Sequence, residues 1–554
     1  MASDSFSSPR FDVATIAWPS IEAFAPYREM ARIAETMPAL PAGMQRDASA
    51  SPFLDLRAAA RAVAGQNPHL PPPPVEARYV VAGQQAGLLS GPMYTILKAV
   101  SAIALARRWA MKTGEPVLPL FWIASEDHDI LEINRIHLHE RAFVHELPEF
   151  ERGPRPQASH VPLLSAREPL LAFLRDALPS SEHKHALIES VASLDFHDYA
   201  SAFRSFMERL FLPWELRFID PIALRPLTAP VLAALIERWD ACEEAFSAGA
   251  RAMAAEGFTP PLERIGLFEI RDGYRVAVKK DAAEFHLATD TSEMEACDAP
   301  ALAQRIRSDP ARFSGNAAFR PICQDAVLPV AAMLGGPSEL AYLRQIRPLY
   351  AVADVRPARF LPRISATFVE PGAASAARQA HLEGVRVFGA RELLLNPAAF
   401  LRASDSTPGG EIERRQGRGI ASMHGDAIER IEAHARALVE ELDRLGLDPA
   451  PRWMRTSRDD VQAIAARVTA RLREAEREAA GMTKARLEKL AAAVLPEGKP
   501  QERVVNVLQF LNLHGPGFLA RMIDDLDPEA SGHHLVHVDP PGSTRGGDAH
   551  EQGG

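Results

Sequence analysis

The sequence predicts an α/β fold built on a parallel sheet and joined to a long helical hairpin. Two apolar runs, 79–82 and 117–124, are each followed by polar residues, and the stretch between them can form a helix of about five turns. A strand, a helix and a second strand in this order form a right-handed crossover with parallel strands. Further along, apolar residues recur at heptad spacing from residue 428, which is typical of a coiled coil.

The bulk composition excludes several classes of protein. A chain of 554 residues is too long for a single core and predicts about two to four domains. The apolar and charged fractions, 47% and 24%, are those of a soluble globular protein, and the net charge of -10 argues against a nucleic-acid-binding protein. We recognise no leader peptide and no apolar run of the roughly 18 residues that a membrane span needs. The three dispersed cysteines fit neither a disulfide nor a zinc pattern, which indicates the cytoplasm.

The first candidate binding region lies where the first strand ends. In open α/β sheets, ligands bind beyond the carboxyl ends of the strands. There a turn that begins at Gly83 contains Gln84 and Gln85, whose amides can hydrogen-bond a carboxylate, a sugar hydroxyl or a phosphate. An ordinary solvated turn explains the same residues. The turn matches neither the P-loop nor the dinucleotide-binding fingerprint.

The start of the following helix adds further candidates. Ser90 precedes it, and the free backbone amides of a helix N-terminus can hold an anion. Tyr94 and Lys98 lie four residues apart, hence on one face of the helix. Lys98 is either a solvated charge or part of a site, and the rarity of buried lysine favours the solvated charge.

The second apolar run ends in the richest polar cluster, Glu126, Asp127, His128 and Asp129. Alternation at a strand end predicts that Asp127 and Asp129 face one way, and Glu126 and His128 the other. One pair can bind an amine or a metal, while the other can act as a carboxylate and a base. The alternative is a helix N-cap. Ser125 or Asp127 would cap the helix, and the helix dipole would favour the negative charges of Glu126 and Asp129 in its first turn.

A second set of candidates lies between residues 319 and 342. The run 319–325 resembles a strand that ends in Gln324 and Asp325. A Gly-rich turn at Gly336 then leads into a helix that carries Glu339 and Tyr342. A turn before a helix can bind an anion, although a plain turn is the simpler reading of the glycines.

The last part of the chain is predicted to be helical. Apolar residues step by three and four from 428 to 445 and again from 461 to 482, with a Pro-rich turn between the two series. This pattern predicts an antiparallel coiled coil that packs on itself or on a second copy of the chain. The polar tail contains His533, His534 and His537, which a flexible tail explains better than a metal site.

Several long stretches resemble one known family, in register. Spread over residues 78–520, they are AGQQAGLLSGPMYTILKA, PLFWIASEDHD, FRPICQDAVLPVAAMLGGPSELAY, RFLPRISATFVE and LPEGKPQERVVNVLQFLNLHGPGFL. In these stretches the chain is similar to the bacillithiol biosynthesis cysteine-adding enzymes. The resemblance implies a Rossmann-like core akin to class I nucleotidyltransferases, with inserted connecting segments, and a C-terminal coiled coil that forms a homodimer.

The resemblance also implies a reaction, the last step of bacillithiol biosynthesis. The family joins the carboxyl group of cysteine to the amine of glucosaminyl-malate, so these small molecules are the expected partners, with no nucleic acid and no membrane. ATP with Mg²⁺ is the expected cosubstrate, although no motif identifies it, and no metal ligands are expected in the chain. Two other readings stay open. One is a nucleotidyltransferase or pantothenate-synthetase-like ligase, against which the missing H-x-G-H and K-M-S-K-S motifs count; the other is a non-catalytic coiled-coil dimer scaffold.

The resemblance extends to individual residues. The candidate catalytic residues Glu126, Asp127, His128 and Asp129 match the family pattern at the core cleft. The candidate substrate-binding residues are Gly83, Gln84, Gln85, Ser90, Tyr94, Gln324, Asp325, Gly336, Glu339 and Tyr342. The sequence departs from the pattern at Met333, where a tyrosine is expected, and at Ser338, where a glycine is expected.

Together these observations predict five segments. They are an N-terminal extension that packs on the core (1–77), the Rossmann-like core (78–370), the coiled-coil domain (371–500), two helices that return to the core (501–530) and a polar tail (531–554).

Overall fold

The computed structural model describes residues 11–36, 51–151, 154–288, 294–379, 382, 384–390, 418–444, 452–479 and 484–539. The chain divides into two compact units. The first comprises Met1–Ala366, Glu502–His534 and Pro541–Gly554, and the second comprises Thr367–Gln501 and Leu535–Pro540.

Strands and helices alternate through the first unit, whereas helices dominate the second. The strands are β1 (Asp12–Ile16), β2 (Arg78–Gln85), β3 (Val117–Ala124), β4 (Arg135–Leu138), β5 (Arg141–Val144), β6 (Arg217–Ile219), β7 (Leu267–Arg271), β8 (Tyr274–Ala277), β9 (Lys279–Asp281), β10 (Glu284–Ala288), β11 (Met294–Cys297), β12 (Phe313–Gly315), β13 (Val330–Gly335), β14 (Arg359–Pro362), β15 (Ala366–Val369) and β16 (His533–His537). The helices are α1 (Ala25–Thr36), α2 (Leu56–Gln66), α3 (Met93–Thr113), α4 (Ile130–Ile133), α5 (Arg167–Ala177), α6 (Lys184–Ala192), α7 (Tyr199–Phe211), α8 (Pro221–Glu237), α9 (Trp239–Ala255), α10 (Ala299–Ser308), α11 (Arg320–Val327), α12 (Pro337–Ile346), α13 (Leu349–Val352), α14 (Pro371–Gln379), α15 (Arg418–Arg444), α16 (Arg452–Ala479), α17 (Lys484–Val494), α18 (Leu508–His514) and α19 (Gly517–Asp525).

The centre of the first unit is a parallel sheet with the strand order β14-β13-β2-β3-β6. Its strands β2 and β3 and the helix α3 between them are the crossover that the sequence predicts. Gly114 ends α3 in the left-handed conformation that glycine adopts without strain. The parallel, Rossmann-like core is thus confirmed.

Two layers of helices bury this sheet. Helix α3 packs against β2 and β3 on one face. On the other face, side chains such as Tyr79, Val81 and Leu120 join a large apolar core with residues of α8 to α12. A sheet covered on both faces explains why its strands read as continuous apolar runs.

Two local predictions are wrong. The run 319–325 is not a strand, because it lies largely in helix α11, which has Pro321 in its first turn, where proline is well tolerated. The alternation predicted for the acidic cluster also fails, because the cluster lies in a turn just after the strand. Strand β3 ends at Ala124, and the Asp127 amide donates back to the Ala124 carbonyl in a turn. Strict alternation of the side chains from residue 126 to 129 therefore does not hold.

The described helices of the second unit include the predicted hairpin, α15 and α16, which pack against each other along their length. They run antiparallel, because Arg458 near the start of α16 contacts Asp443 near the end of α15, with 3.1 Å between nitrogen and oxygen. The predicted coiled coil is confirmed for residues 418–444 and 452–479.

The reading of the histidine-containing segment as a flexible tail is wrong for its first part. His533, His534 and His537 belong to strand β16, and His533 and His534 are buried. The rest of the predicted tail, from residue 540 onward, lies outside the described residues.

A search of the described helices for one long and apolar enough to cross a membrane finds none.

Candidate active site at the carboxyl edge of the sheet

At the carboxyl edge of the parallel sheet, β2 and β13 diverge, and we call the space between their ends the fork. Their register ends at the pair Met333–Val81, whereas β2 continues beside β3 as far as Gln85. The strand order also switches here, since β3 follows β2 on one side and β13 lies on the other. Ligands of open α/β sheets bind at such a switch point, so the candidate site is centred on the end of β2.

Lys98 of α3 fills this fork. Its Nζ donates to the Gly83 carbonyl at 2.8 Å and to Gln84 Oε1 at 2.7 Å, and the two carboxylate oxygens of Glu339 lie 2.8 and 2.7 Å away. Only 2% of Lys98 is exposed, so the reading of Lys98 as a solvated charge is wrong. Burial lowers the pKa of Lys98, and the Glu339 carboxylate partly offsets this effect.

Glu339 connects Lys98 to the Gly-rich turn before α12. Its Oε2 accepts a hydrogen bond from the Gly336 amide at 2.7 Å, so one carboxylate both caps the helix and neutralises the lysine. The predicted Gly-rich turn at Gly336 is confirmed as the start of a helix, but its first amide is already satisfied within the chain.

Gln84 and Tyr94 lie on the same face of the sheet as Lys98. Gln84 Nε2 donates to Tyr94 Oη at 3.3 Å, and the Tyr94 ring lies 5.9 Å from Lys98 Nζ. The guanidinium carbon of Arg363 lies 5.8 Å from the centre of the same ring. Burial raises the pKa of Tyr94, which keeps its hydroxyl neutral.

Gln85 and Asp127 meet on the other face. Gln85 Nε2 donates to Asp127 Oδ2 at 3.0 Å, and the Asp129 amide donates to Asp127 Oδ1 at 3.1 Å. The structure thus joins the two clusters that the sequence predicts at the two strand ends. Asp127 remains partly exposed, so its carboxylate can reach a ligand.

Glu126 lies in a different environment from Asp127. Its Oε1 accepts from Arg225 Nε at 2.9 Å and Nη2 at 2.5 Å, and its Oε2 accepts from Ser314 Oγ at 2.8 Å. The carboxylate and the guanidinium are both largely buried. Because Arg225 of α8 and Ser314 of β12 both donate to its oxygens, Glu126 holds these two elements against the turn.

His128 faces the small antiparallel sheet. Its ring lies 6.0 Å from the Phe268 ring in an edge-on arrangement, and its buried Nδ1 has no hydrogen-bond partner in the described part of the chain. The Arg275 guanidinium lies over the face of the Phe268 ring, 4.1 Å from the ring centre. Burial lowers the pKa of Arg275, and Glu126, Asp127 and Asp129 partly offset this effect.

Ser90 lies in a strained turn and not on the open side of the site. Leu89, Ser90 and Gly91 all have positive φ angles, of 44°, 71° and 66°, and Ser90 is 1% exposed. Asn506 holds this turn by donating to the carbonyls of Leu89 and Gly91 at 2.8 and 2.7 Å. Gly91 combines a φ of 66° with a ψ of -145°, a backbone conformation that is essentially restricted to glycine.

Gln324 and Asp325 are parts of the core. Asp325 Oδ2 accepts from Tyr350 Oη at 3.0 Å and from the Ala358 amide at 2.9 Å, and Gln324 Nε2 donates to Asp325 Oδ1 at 3.2 Å. Burial raises the pKa of Asp325 to about 6, although these donors oppose the shift. The same Gln324 nitrogen lies 3.8 Å from Met333 Sδ, at the position where the resemblance predicts tyrosine. The structure does not bring this pair to the fork.

Tyr342 leads to residues that the sequence reasoning missed. Its hydroxyl accepts from Arg320 Nη2 at 2.7 Å, and the Arg320 guanidinium lies 5.8 Å from the Trp122 ring. Trp122 in turn lies against Gly83, where a Cβ would be 3.0 Å from Trp122 Cβ, so a larger residue would be tightly packed there. The only local signal for these residues was the position of Trp122 next to the end of an apolar run.

The described residues contain no group of three or more His, Cys, Asp or Glu side chains placed to hold a metal ion. The acidic turn does not form one, because Glu126 is paired with Arg225 and Asp127 with Gln85. We therefore derive no chemical step through a metal held by the chain.

Two family models match the chain. The "Bacillithiol biosynthesis BshC, N-terminal Rossmann-like domain" matches residues 75–364, and the "Bacillithiol biosynthesis BshC, C-terminal coiled-coil domain" matches residues 411–538. The chain belongs to the BshC family. The first of these matches contains every candidate residue of the fork and of the acidic turn.

Curated BshC relatives align over most of the chain. A protein from Shouchella clausii is 30% identical over 471 residues, which cover 83% of this chain and 84% of the relative. One from Salinibacter ruber is 30% identical over 473 residues, covering 83% and 82%, and one from Heliobacterium modesticaldum is 29% identical over 474 residues, covering 80% of each. All three carry the name "Putative cysteine ligase BshC".

Proposed function

We propose that the chain is a ligase that joins the carboxyl group of cysteine to the amine of glucosaminyl-malate, the last step of bacillithiol biosynthesis. Membership of the BshC family and the names of the relatives support a cysteine ligase. The observation that carries the site assignment is the Asp127 carboxylate, which is partly exposed at the fork and held by Gln85 and a backbone amide.

The reaction needs an activated acyl group, because a carboxylate is a poor acyl donor. In our proposal ATP transfers an adenylyl or a phosphoryl group to the cysteine carboxylate and releases pyrophosphate or ADP. The amine then attacks the acyl carbon. A C–N bond forms, the bond from that carbon to the phosphate oxygen breaks, and AMP or phosphate leaves.

Asp127 and His128 suit the amine half of this reaction. The acceptor amine can donate a hydrogen bond to the Asp127 carboxylate, and it attacks in its neutral form, after an ammonium has released one proton to solvent. The buried Nδ1 of His128 has no hydrogen-bond partner among the described residues, and we assign the imidazole the role of accepting the proton released as the C–N bond forms. Because Gln85 and the Asp129 amide fix Asp127, the amine would be oriented before it reacts.

A pair of substitutions tests this assignment. We expect Asp127→Asn and His128→Gln each to lower the rate of amide formation by about 10²- to 10⁴-fold, as the loss of a positioned acid–base group does. The rate is measured as product formation from cysteine and glucosaminyl-malate, with and without ATP and magnesium. Asp176→Asn on α5, an exposed carboxylate paired with Arg141, is the matched control and should keep the wild-type rate. Wild-type rates in both site variants would overturn the assignment.

We also propose a homodimer formed through α15 and α16. Leu438, Ile464 and Val468 are 56%, 53% and 40% exposed, and together with Ile431 and Val461 they line an apolar groove between the two helices. A second copy would cover this seam, as heptad patterns require. Light scattering should give a dimer for the wild type and for Glu440→Gln, whose residue is not part of the groove, and a monomer for the double variant Leu438→Glu with Ile464→Glu. A dimeric double variant would contradict the proposal.

The three cysteines, Cys242, Cys297 and Cys323, are buried free thiols. This supports our proposal of a reducing, cytoplasmic environment, in which thiols persist.

A further inference from the structure

Arg320 differs from three other buried cations near the fork in having no paired carboxylate among the described residues. Lys98 is paired with Glu339, Arg363 with Glu502 at 2.6 Å, and Arg225 with Glu126. In the part of the chain that the structure describes, Arg320 has no carboxylate within ion-pair distance, and its hydrogen-bond partner is the neutral Tyr342 hydroxyl.

This arrangement leaves one positive charge at the site without a counter-charge. Arg320 is only partly exposed, and burying an unpaired charge is costly unless something compensates it. Burial acts to lower the pKa of Arg320, but Tyr342 and Glu339 outweigh it and raise the pKa, so the guanidinium stays charged. An anionic ligand would supply the missing partner, and a guanidinium binds carboxylate or phosphate with two parallel hydrogen bonds.

Trp122 provides a second, independent observation. It is 3% exposed, and its buried Nε1 donor has no hydrogen-bond partner among the described residues. Buried donors are nearly always satisfied, so an orphan donor beside an unpaired guanidinium indicates a missing acceptor. One oxyanion could satisfy both groups.

The position of Trp122 relates this pair to the acidic turn. Trp122 is the register partner of Gly83, and Gln85 lies two residues further along β2, so both side chains project from the same face of the sheet. The separation along the strand is about 7 Å. A ligand that carries an amine and a carboxylate a few bonds apart can therefore contact Asp127, which binds Gln85, at one end and Arg320 at the other.

We propose that Arg320, with Trp122 and Tyr342 beside it, binds a carboxylate group of the amine-bearing substrate and makes the site selective for an anionic acceptor. The inference rests on the proposed function, which supplies glucosaminyl-malate as that acceptor. Oxyanions also occur in the cysteine carboxylate and in the phosphates of ATP, so the test separates these three sources.

The experiment measures dissociation constants for the full-length wild type, Arg320→Gln and Arg320→Lys. The ligands are glucosaminyl-malate, its carboxylate-free analogue methyl glucosaminide, cysteine, ATP, and the bare anions malate and inorganic phosphate. We expect Arg320→Gln to bind glucosaminyl-malate and malate about 10- to 100-fold more weakly, as the loss of a charged hydrogen-bond donor does, and the other ligands with wild-type affinity. Arg320→Lys, which keeps the charge but loses the fork of donors, should be intermediate. Arg251→Gln, which breaks a surface pair with Glu244, is the matched control.

Each outcome has one meaning. If the affinity for cysteine or ATP falls instead, the oxyanion belongs to that substrate and the malate assignment is overturned. If no affinity changes, or if the wild type binds neither malate nor glucosaminyl-malate, the subsite does not exist. If malate binds in an Arg320-dependent way but no amide is formed from cysteine, the subsite stands and the proposed ligase reaction fails. Unfolding midpoints of the unliganded variants, compared with that of Arg251→Gln, show whether a loss of binding reflects a loss of the fold.

Discussion

Gln84 and Gln85 are neighbours at the end of one strand, yet they lie in opposite surroundings. The Gln84 side is closed, since its amide contacts Lys98 and Tyr94, and Lys98 is neutralised by Glu339. The Gln85 side is open: its amide holds the partly exposed Asp127.

The open side also contains polar groups without partners in the described chain. His128 Nδ1 and Trp122 Nε1 are buried without a hydrogen bond to the described residues, and Arg320 pairs with no carboxylate among them. The closed side supplies a rigid end to β2, and the open side keeps the hydrogen-bonding capacity that a ligand needs. Gln84 and Gln85 are identical side chains with different roles, because successive residues of a strand face opposite layers.

The largest loss of stability should come from removing Lys98, which holds the closed side together. Lys98→Met leaves Glu339 with its partly buried charge unpaired and the Gly83 carbonyl without a donor. We expect a loss of about 3–5 kcal/mol in the free energy of unfolding, as for other broken buried ion pairs. Denaturant unfolding of the wild type and the variant measures this loss. In the double variant with Glu339→Gln much of the loss should be restored, because the unpaired charge is gone. A Lys98→Met protein as stable as the wild type would show that the fork is not held by this pair.

A smaller loss of stability should distinguish Glu126 from Asp127, two adjacent carboxylates on the open side. Glu126→Gln removes the counter-charge of Arg225, which is largely buried, and should lower the free energy of unfolding by about 2–3 kcal/mol. Asp127→Asn should change it by less than about 1 kcal/mol, since Asp127 accepts two ordinary hydrogen bonds at a partly exposed position. Unfolding midpoints and product formation are compared for both variants. If Glu126→Gln abolishes amide formation without a change in stability, Glu126 and not Asp127 is the reacting carboxylate.

The crossover at the fork could be predicted because its signals are local. Gly114 and the polar residues after each apolar run mark the limits of β2, α3 and β3 within a few residues. Gln85 and Asp127 could be predicted for the same reason, as both directly follow apolar strands of one crossover. The helix α11 was misread because a short apolar run suits a strand or a helix, although Pro321 near its start favours a helix.

The remaining part of the site is set by contacts between distant segments. Lys98 is recognisable as a buried charge only once Glu339 is brought to it, and the two are 241 residues apart. The Arg320 guanidinium of α11 lies 5.8 Å from the Trp122 ring of β3, although the two residues are far apart in the sequence and no spacing predicts the contact. The unpaired charge of Arg320 becomes visible only once the structure gives the partners of Lys98, Arg363 and Arg225.

Acid should weaken the network that supports the closed side. Arg363, whose guanidinium lies over Tyr94, is paired with Glu502, and Glu502 also accepts from Ser365 Oγ at 2.9 Å. Since that hydroxyl donates to Glu502, it accepts from His533 Nδ1, which lies 2.9 Å away.

The histidine of this network sets the direction of the pH effect. Burial lowers the pKa of His533 to about 3, with Arg363 and His534 acting in the same direction and Glu502 against it. The unfolded chain binds this proton at a pKa of about 6.5. Stability is therefore complete above pH 6.5 and is lost as the pH falls towards 3. Burial would raise the pKa of Glu502, but Arg363 outweighs it and the pKa is lowered to about 2, so Glu502 adds to the loss only below its unfolded pKa of 4.5.

Comparing pH 7 with pH 5 isolates His533 from Glu502. The linked loss at pH 5 is about 2 kcal/mol for His533 alone. We expect His533→Asn, which retains a nitrogen donor near Ser365, to lose about 2 kcal/mol less than the wild type between the two pH values, whatever its absolute stability. Urea unfolding at both pH values measures the difference. Equal losses in the two proteins would show that His533 is not held neutral, and the closed side would then have no special sensitivity to acid.

The smallest loss of stability is expected at Tyr94. This substitution tests whether the Tyr94 hydroxyl contacts only the protein and not the substrate. Tyr94→Phe removes only the hydroxyl that accepts from Gln84 over a long 3.3 Å, while the ring keeps its contacts with Lys98 and Arg363. Gln84 stays fixed by Lys98, so the free energy of unfolding should fall by about 0.5–1 kcal/mol, the usual net value of one neutral hydrogen bond. Amide formation should stay within about threefold of the wild-type rate, because each factor of ten requires about 1.4 kcal/mol at the transition state. A loss of activity by more than tenfold at wild-type stability would show that the Tyr94 hydroxyl contacts the substrate. The Gln84 side of β2 would then also belong to the binding site.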